Sequence, residues 1–205
     1  MGHTPMRTHG AHLKNEATLI RASSMAHVIT CQNMMDQGNY SYTPTAPYGD
    51  VQIPGVFEPY FTPAEMLALG VFEGKYLNDC RDEFPAEWFE AARHSLAPDR
   101  PDVNCNYFKV KSRQSLRVWR ERGWLHGPDN RGWFQWYCRY YCGRRLAGID
   151  ALQMQRWRAF KRHYAQVVRN CPKEDGTNGI WCRPKQRQAL LQWAHRCFDP
   201  GQSKD

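Results

Sequence analysis

Arginine is the residue type with the clearest chemical potential in this 205-residue sequence. Arg158, Arg162 and Arg169 fall within one sector of a helix, because each residue turns the chain by about 100°. Guanidinium groups bind phosphate, and arginines interleaved with aromatic rings are typical of nucleic-acid-binding proteins. The predicted anion-binding face consists of Arg117, Arg120, Arg139, Arg144, Arg145, Arg158, Arg162 and Arg169.

The distribution of charge along the chain favours the same interpretation. Residues 1–106 contain 7 Lys or Arg and 13 Asp or Glu (7 − 13 = −6). Residues 107–205 contain 21 and 7 (21 − 7 = +14), together with seven of the eight tryptophans. A basic, aromatic part that follows an acidic part predicts an anionic partner, most simply nucleic acid. Alternatively, the two parts pack together and neutralise each other.

A second group of cations lies at the start of the last predicted helix. Arg183, Lys185 and Arg187 stand where the helix macrodipole is already positive and where carboxylates are normally preferred. Backbone N–H groups and these cations would together bind a phosphate group. Alternatively, acidic residues of the first part supply the counter-charge, and the candidates are Asp79, Asp82 and Glu83.

The eight cysteines are too few for a disulfide scaffold. The first expectation is therefore free thiols in a reducing compartment, which predicts a cytoplasmic or nuclear location. Cys138, Cys142, Cys171 and Cys182 could bring four thiols together around zinc, although paired zinc ligands more often have two-residue gaps. A disulfide between Cys171 and Cys182 is an equal alternative. The sequence predicts no other cofactor.

Acid–base catalysis has four weak candidates in the sequence. Lys75, Asp79 and Asp82 belong to a dense polar cluster, and His126 lies in a Gly-Pro loop between two tryptophans. Catalysis would require two such groups to converge on a pocket. If the protein is an enzyme, acidic groups of the cluster would act with the arginines on a nucleotide or a nucleic-acid base. The sequence specifies no reaction.

The domain that must position these residues is predicted to span residues 58–198. Its acidic part covers 58–106 and its basic, aromatic part covers 107–198. Residues 1–47 are expected to form a flexible arm or a targeting segment, so an organellar location is an alternative. The sequence contains no run of eighteen apolar residues, so we expect no membrane partner.

Helix signals divide this domain into about six helices. Thr62 and Glu65 form a capping box at the start of the first helix, and a second helix begins at Pro85. Ser112 is expected to cap a short third helix. Asp129 is expected to cap the aromatic segment 133–141, which should be the central buried helix.

The clearest helix is predicted over residues 150–170. Trp157, Phe160 and Tyr164 recur at steps of three and four, so they form an apolar stripe opposite the arginine sector. The last helix should begin at Arg183-Pro184. No alternating pattern predicts a strand. The predicted fold class is therefore all-α, a single globular domain of about six helices.

Several segments resemble known families. Phe61-Thr-Pro-Ala-Glu-Met, the segment from Arg131 to Tyr141 and Cys182-Arg-Pro-Lys-Gln-Arg-Gln-Ala-Leu-Leu look like an uncharacterised helical protein family, over about 58–198. This resemblance implies a single folded unit and no activity. Residues 112–132 are similar to the recognition helix, turn and wing of MerR-like winged-helix proteins. That resemblance implies DNA binding, although the preceding helix of the motif is not evident.

The sequence as a whole predicts a nucleic-acid-binding helical protein that uses an arginine-rich face. The first alternative is a small helical enzyme that acts on a nucleotide or a nucleic-acid base. The second is a structural subunit whose basic part docks an acidic protein.

Overall fold

The fold is mostly helical, as the sequence predicts. The computed structural model describes residues 28–31, 40–171 and 179–198. Its helices are α1 (Pro63–Leu69), α2 (Ala86–Ala91), α3 (Leu116–Glu121), α4 (Trp133–Tyr141), α5 (Ala147–Asn170) and α6 (Pro184–Leu191). Five short 3₁₀ turns connect them at Phe72–Gly74, Arg81–Glu83, Arg93–Ser95, Val103–Cys105 and Gly179–Trp181. Within these described residues, no helix is both long enough and apolar enough to cross a bilayer.

Residues 28–31 and 40–57 belong to the fold, which corrects the prediction of a loose arm that extends to residue 47. Strand β1 (Ile29–Cys31) pairs antiparallel with β2 (Tyr40–Tyr42), with Thr30 opposite Ser41. Strands of three residues are too short to give an alternating sequence pattern. The rest of the predicted arm, residues 1–27 and 32–39, lies outside the described residues.

The segment after β2 is fixed to the end of α4. The backbone N–H groups of Thr45 and Ala46 both donate to the carbonyl of Gly143, at 2.9 and 3.1 Å. Gly143 has a φ of 94°, and a Cβ there would lie 2.2 Å from the Ala46 carbonyl oxygen. Only glycine combines this left-handed conformation with so close a backbone contact.

Helix α4 is the centre of the core, which confirms the prediction for residues 133–141. Every side chain from Trp133 to Tyr140 is buried. The ring of Phe57 makes edge contacts with four aromatic rings, at centroid distances of 5.0–5.9 Å. Its partners are Trp136, Tyr137, Tyr140 and Trp157. Helix α4 is therefore held by aromatic packing on most of its surface.

The helix caps agree with the sequence at α1 and differ at α3 and α4. Both hydrogen bonds of the Thr62–Glu65 capping box are present. Helix α3 is capped by Ser115, whose Oγ accepts from the Val118 N–H, and not by Ser112. The N-cap of α4 is Gly132, because the Asp129 carboxylate is buried and bonded to arginines instead.

Helix α5 begins three residues earlier than predicted and keeps the predicted stripe. Trp157 is buried, and Phe160 and Tyr164 are partly buried against the core. The three arginines of the opposite sector, Arg158, Arg162 and Arg169, are exposed. The stripe therefore faces the core while the arginine sector faces solvent.

Ion pairs join the acidic and basic parts of the chain. Arg139 on α4 contacts Glu83 at 2.5 Å, and both side chains are almost completely buried. Arg131 contacts Asp79 at 2.5 Å, and Arg113 contacts Glu73 at 2.7 Å. The two parts are thus packed against each other, and part of the positive charge of residues 107–198 is neutralised inside the molecule.

Candidate functional site

A cleft lined by aromatic rings lies between α3, α5 and α6, above the start of α4. Its volume is about 410 Å³. The aromatic lining residues are Phe72, Trp119, Trp124, Trp133, Phe134, Phe160 and Trp193. A pocket of this size and composition is typical of small-molecule sites.

The floor of the cleft is a stack of three rings. The Trp193 ring stacks on Trp133 at a centroid distance of 4.9 Å and on Phe160 at the same distance, with interplanar angles of 26° and 9°. These rings come from α4, α5 and the residues after α6, so three parts of the fold meet here. Packing on both sides of Trp193 fixes its orientation, so the floor is formed before any ligand arrives.

The rim of the cleft carries a more exposed tryptophan beside a cation. Trp124 is 39% exposed, and the Arg122 guanidinium lies 5.1 Å from the centroid of its ring. Trp119 lies deeper and covers Gly132, where a Cβ would come within 3.0 Å of its ring. The rim is therefore both aromatic and positively charged.

A second compartment of about 290 Å³ adjoins the cleft. The two share Phe72, Arg113, Gln114 and Trp119 in their walls. The second compartment holds Asp79, whose carboxylate accepts two hydrogen bonds from Arg131, at 2.6 and 2.5 Å. The Asp79 side chain is 41% exposed, so its carboxylate can also accept a hydrogen bond from a ligand.

The backbone at the junction of the two compartments has an uncommon conformation. Phe72 and Glu73 have φ values of 51° and 58°, in the left-handed region that non-glycine residues rarely adopt. Hydrogen bonds from their N–H groups to Gln192 Oε1 and Asn106 Oδ1 hold them there. Such strain is concentrated at functional sites, which marks this junction as a candidate.

Arg156 on α5 adds a cation to the cleft. Its guanidinium donates to Gln153 Oε1 at 2.9 Å and lies 5.6 Å from the centroid of the Trp193 ring. Burial lowers the pKa of Arg156. Burial, together with the nearby charge of Arg156, also lowers the pKa of His126. Arg156 therefore produces a positive field at one end of the aromatic floor.

Three of the predicted anion-binding arginines are buried, which corrects their assignment to a surface. Arg139 pairs with Glu83 and Asp129, and Arg144 pairs with Asp129 at 2.6 Å. Arg187 donates to the backbone carbonyls of Cys182, Gly179 and Cys197. All three are at most 1% exposed, so a phosphate group has no access to them.

The Arg145 side chain also makes contacts within the fold. It donates to the carbonyls of Tyr140 and Asp50, and its guanidinium lies 3.7 Å from the centroid of the Tyr140 ring. The other predicted anion-binding residues are exposed, and their role stays a prediction. They are Arg117, Arg120, Arg158, Arg162, Arg169, Arg183 and Lys185.

The start of α6 separates its three predicted cations. Arg187 faces the interior, while Arg183 and Lys185 remain exposed. Two of the acidic residues expected as counter-charges, Asp79 and Glu83, pair instead with Arg131 and Arg139. Backbone carbonyls accept hydrogen bonds from Arg187, in place of the carboxylate counter-charges that the sequence suggested.

The structure brings together two of the four catalytic candidates. Lys75 and Asp79 both line the second compartment, although Lys75 Nζ donates to the Pro98 carbonyl at 2.5 Å. Asp82 is exposed and lies outside both compartments. His126 does not line them either, although it lies close enough to Arg156 for their charges to interact.

The cysteines form a disulfide between Cys171 and Cys182, the second of the two alternatives in the sequence. The expectation of free thiols is therefore wrong for this pair, and a zinc site that needs all four predicted thiols is excluded. Cys138 and Cys142 are free thiols on and after α4. In the described ranges, no group of three or more His, Cys, Asp or Glu side chains could hold a metal ion.

Three arginines of the site were not predicted: Arg113 and Arg156 line the cleft, and Arg131 lines the second compartment. Arg113 and Arg131 lie in loops, where helical spacing carries no signal. Arg156 precedes Phe160 by one helical turn, so the same side of α5 carries both. This four-residue spacing could have indicated Arg156, because it places the cation beside the apolar stripe of α5 and away from the exposed arginine sector.

Comparison of the chain with protein-family models, curated proteins and solved structures finds no match. The two resemblances noted in the sequence therefore stay predictions. Residues 112–132, similar in sequence to a winged helix, form the six-residue helix α3 and loops. The site must be interpreted from its own geometry.

Proposed function

We propose that the protein binds single-stranded nucleic acid and holds one unstacked base in the aromatic cleft. The observation that carries this proposal is the cleft itself. Its floor is the stack of Trp133, Trp193 and Phe160, and its rim places the Arg122 cation beside the Trp124 ring. Planar rings beside arginine side chains are the combination that binds bases and phosphates together.

The dimensions and polarity of the cleft fit a base. Its volume of about 410 Å³ accommodates a planar heterocycle, and Trp124 at the rim is 39% exposed and offers a ring for stacking. A base also needs polar partners at its edge. Arg113 is 22% exposed in its side chain and lies at the junction of the two compartments, where Asp79 supplies an acceptor nearby.

Phosphate groups that flank the base would meet the cations of α3. Helix α3 provides Trp119 to the cleft and carries Arg117 and Arg120 on exposed positions, with Arg122 immediately after it. This location differs from the arginine sector of α5, which faces away from the apolar stripe. The predicted ligand is still nucleic acid, but its main contact surface is α3 and not the arginine sector of α5.

The test is binding of a fluorescent single-stranded oligonucleotide to Trp124→Ala. Base–aromatic stacking contributes roughly 1–3 kcal/mol, so we expect affinity to fall by about 5- to 150-fold. Trp181→Ala is the matched control, because Trp181 is 53% exposed but does not line the cleft. A duplex of the same sequence should bind more weakly, since its bases are stacked and paired.

Two results would contradict the proposal. One is no measurable binding of single strands at low salt, where phosphate contacts are strongest. The other is an equal loss of affinity in Trp124→Ala and Trp181→Ala, because the cleft would then have no special role.

The enzymatic alternative rests on the neighbouring Lys75 and Asp79 of the second compartment. Their position beside the cleft would let a carboxylate approach a bound base. However, both groups already have partners within the fold, because Asp79 forms an ion pair with Arg131 and Lys75 donates to the Pro98 carbonyl. Base binding without chemistry is therefore the function that this geometry supports best.

A further inference from the structure

We propose that Arg156 is a phosphate-binding residue of the cleft, so that the site selects nucleotides over nucleosides. This inference rests on the proposed base-binding function and specifies its ligand further. It assigns a ligand to a residue that neither the charge pattern nor the helical periodicity had singled out.

Arg156 differs from the four arginines that pair with carboxylates inside the fold, and from Arg187, which is buried among three backbone carbonyls. Arg113, Arg131, Arg139 and Arg144 each contact a carboxylate at 3.0 Å or less. Arg156 is partly buried, and in the described part of the chain no carboxylate lies within 4 Å of its guanidinium. Its hydrogen bond to Gln153 Oε1 provides a neutral partner only.

A cation without a counter-charge is costly at such a position. Removal of a charged group from water lowers stability unless an opposite charge or several hydrogen bonds replace the lost hydration. The fold supplies carboxylates to four other arginines and three carbonyl acceptors to Arg187. Among the described residues, Arg156 has only the amide oxygen of Gln153 as an acceptor. An anionic ligand would supply both the charge and the acceptors that the guanidinium lacks.

His126 lies close enough to Arg156 to be influenced by its charge. The loop that contains His126 packs on the same side of α5, because Gly127 lies against Ile149, two helical turns before Arg156. Burial and the charge of Arg156 both lower the pKa of His126. An anion at Arg156 would reverse the second effect and raise the pKa of His126, which provides an independent measurement.

The ligand that fits this arrangement has an anion next to a planar ring. Arg156 lines the same cleft as Phe160, and its guanidinium lies 5.6 Å from the centroid of the Trp193 ring, so it stands at the floor beneath a bound base. A ring on the floor and a phosphate at Arg156 are the two halves of a nucleotide. The phosphate can belong to a free mononucleotide or to the backbone of a single strand.

The experiment compares binding of the four nucleoside 5′-monophosphates with binding of the four nucleosides by isothermal titration calorimetry. A charge-assisted hydrogen bond predicts that at least one monophosphate binds about tenfold or more tightly than its nucleoside. Arg156→Gln should abolish this preference. Arg158→Gln is the matched control, since Arg158 lies two residues away on the exposed side of the same helix and should leave the preference intact.

Two further measurements keep the test independent of folding defects. Arg156→Lys retains the charge and should keep part of the preference, and thermal unfolding checks that each variant is folded. The pKa of His126, followed by NMR, should rise when a monophosphate binds the wild-type protein and not when a nucleoside binds.

The outcomes separate this inference from the proposed function. Equal affinity of the wild-type protein for nucleosides and monophosphates overturns the role of Arg156 but leaves base binding intact. A preference that survives in Arg156→Gln also overturns it. No binding of nucleosides, monophosphates or single strands contradicts both proposals. Arg156-dependent binding of single strands without binding of monophosphates assigns the phosphate to a strand.

Discussion

At the scale of single residues, the positive charge of this protein has two different uses. Arg139 and Arg144 are buried around the carboxylate of Asp129, which accepts a hydrogen bond from each, at 3.0 and 2.6 Å. Arg117 and Arg158 are exposed to solvent. Residue type alone does not distinguish the two groups, because the carboxylate partners lie far away in sequence. Glu83 is 56 residues from Arg139.

The residue-scale prediction concerns the buried ion pair of Glu83 and Arg139. Glu83→Ala should lower the free energy of unfolding by roughly 3–5 kcal/mol, because the buried guanidinium of Arg139 loses a carboxylate partner. The exposed pair of Arg117 and Glu121, 3.8 Å apart, is the matched comparison, and Glu121→Ala should cost under about 1 kcal/mol. Urea denaturation measures both. Similar costs for the two variants would mean that the Arg139 site is more hydrated than its burial indicates.

At the scale of elements, local sequence signals predicted the structure correctly where no residue distant in sequence competes for the same side chain. The Thr62–Glu65 box and the apolar stripe of α5 depend on neighbouring residues, so both could be predicted. The cap at Asp129 was wrong because two arginines bind its carboxylate and Gly132 begins α4 instead. The hairpin of β1 and β2 was missed because each strand has only three residues.

The cleft could not be predicted, for a related reason. Its walls come from the 3₁₀ turn at Phe72, the loop around Trp124 and four helices, which are adjacent only in the folded chain. Trp193 is partly buried against the core and also provides the middle ring of the cleft floor. The sequence therefore indicated aromatic helices without indicating which rings would be accessible.

The element-scale prediction concerns the disulfide between Cys171 and Cys182, which joins the end of α5 to the turn before α6. The link closes a chain segment with a sequence separation of 11, and a loop of that size corresponds to roughly 3 kcal/mol of stabilisation. Reduction with dithiothreitol should therefore lower the thermal unfolding midpoint. The Cys171→Ser/Cys182→Ser variant should unfold at the reduced midpoint and respond little to reductant. A wild-type midpoint that is insensitive to reductant would contradict a stabilising disulfide.

At the scale of the whole molecule, exposed cations occupy at least two separate places. One is α3 and the rim of the cleft, with Arg117, Arg120 and Arg122. The other is the solvent-facing sector of α5, with Arg158, Arg162 and Arg169. Both groups contribute equally to the net charge, so the charge pattern of the sequence cannot distinguish them. Only the first group lies next to rings that are open to a ligand.

The whole-molecule prediction uses this equality of charge. The triple variants Arg117→Gln/Arg120→Gln/Arg122→Gln and Arg158→Gln/Arg162→Gln/Arg169→Gln each remove three positive charges, so any difference between them reports position. In a plot of log affinity against log salt concentration, each phosphate contact on a single strand contributes a slope of about −0.7. The α3 variant should reduce the steepness by up to about 2, which corresponds to three lost contacts, whereas the α5 variant should change it much less. A larger change in the α5 variant would assign the phosphate backbone to the solvent-facing sector. That result would contradict a main contact surface at α3.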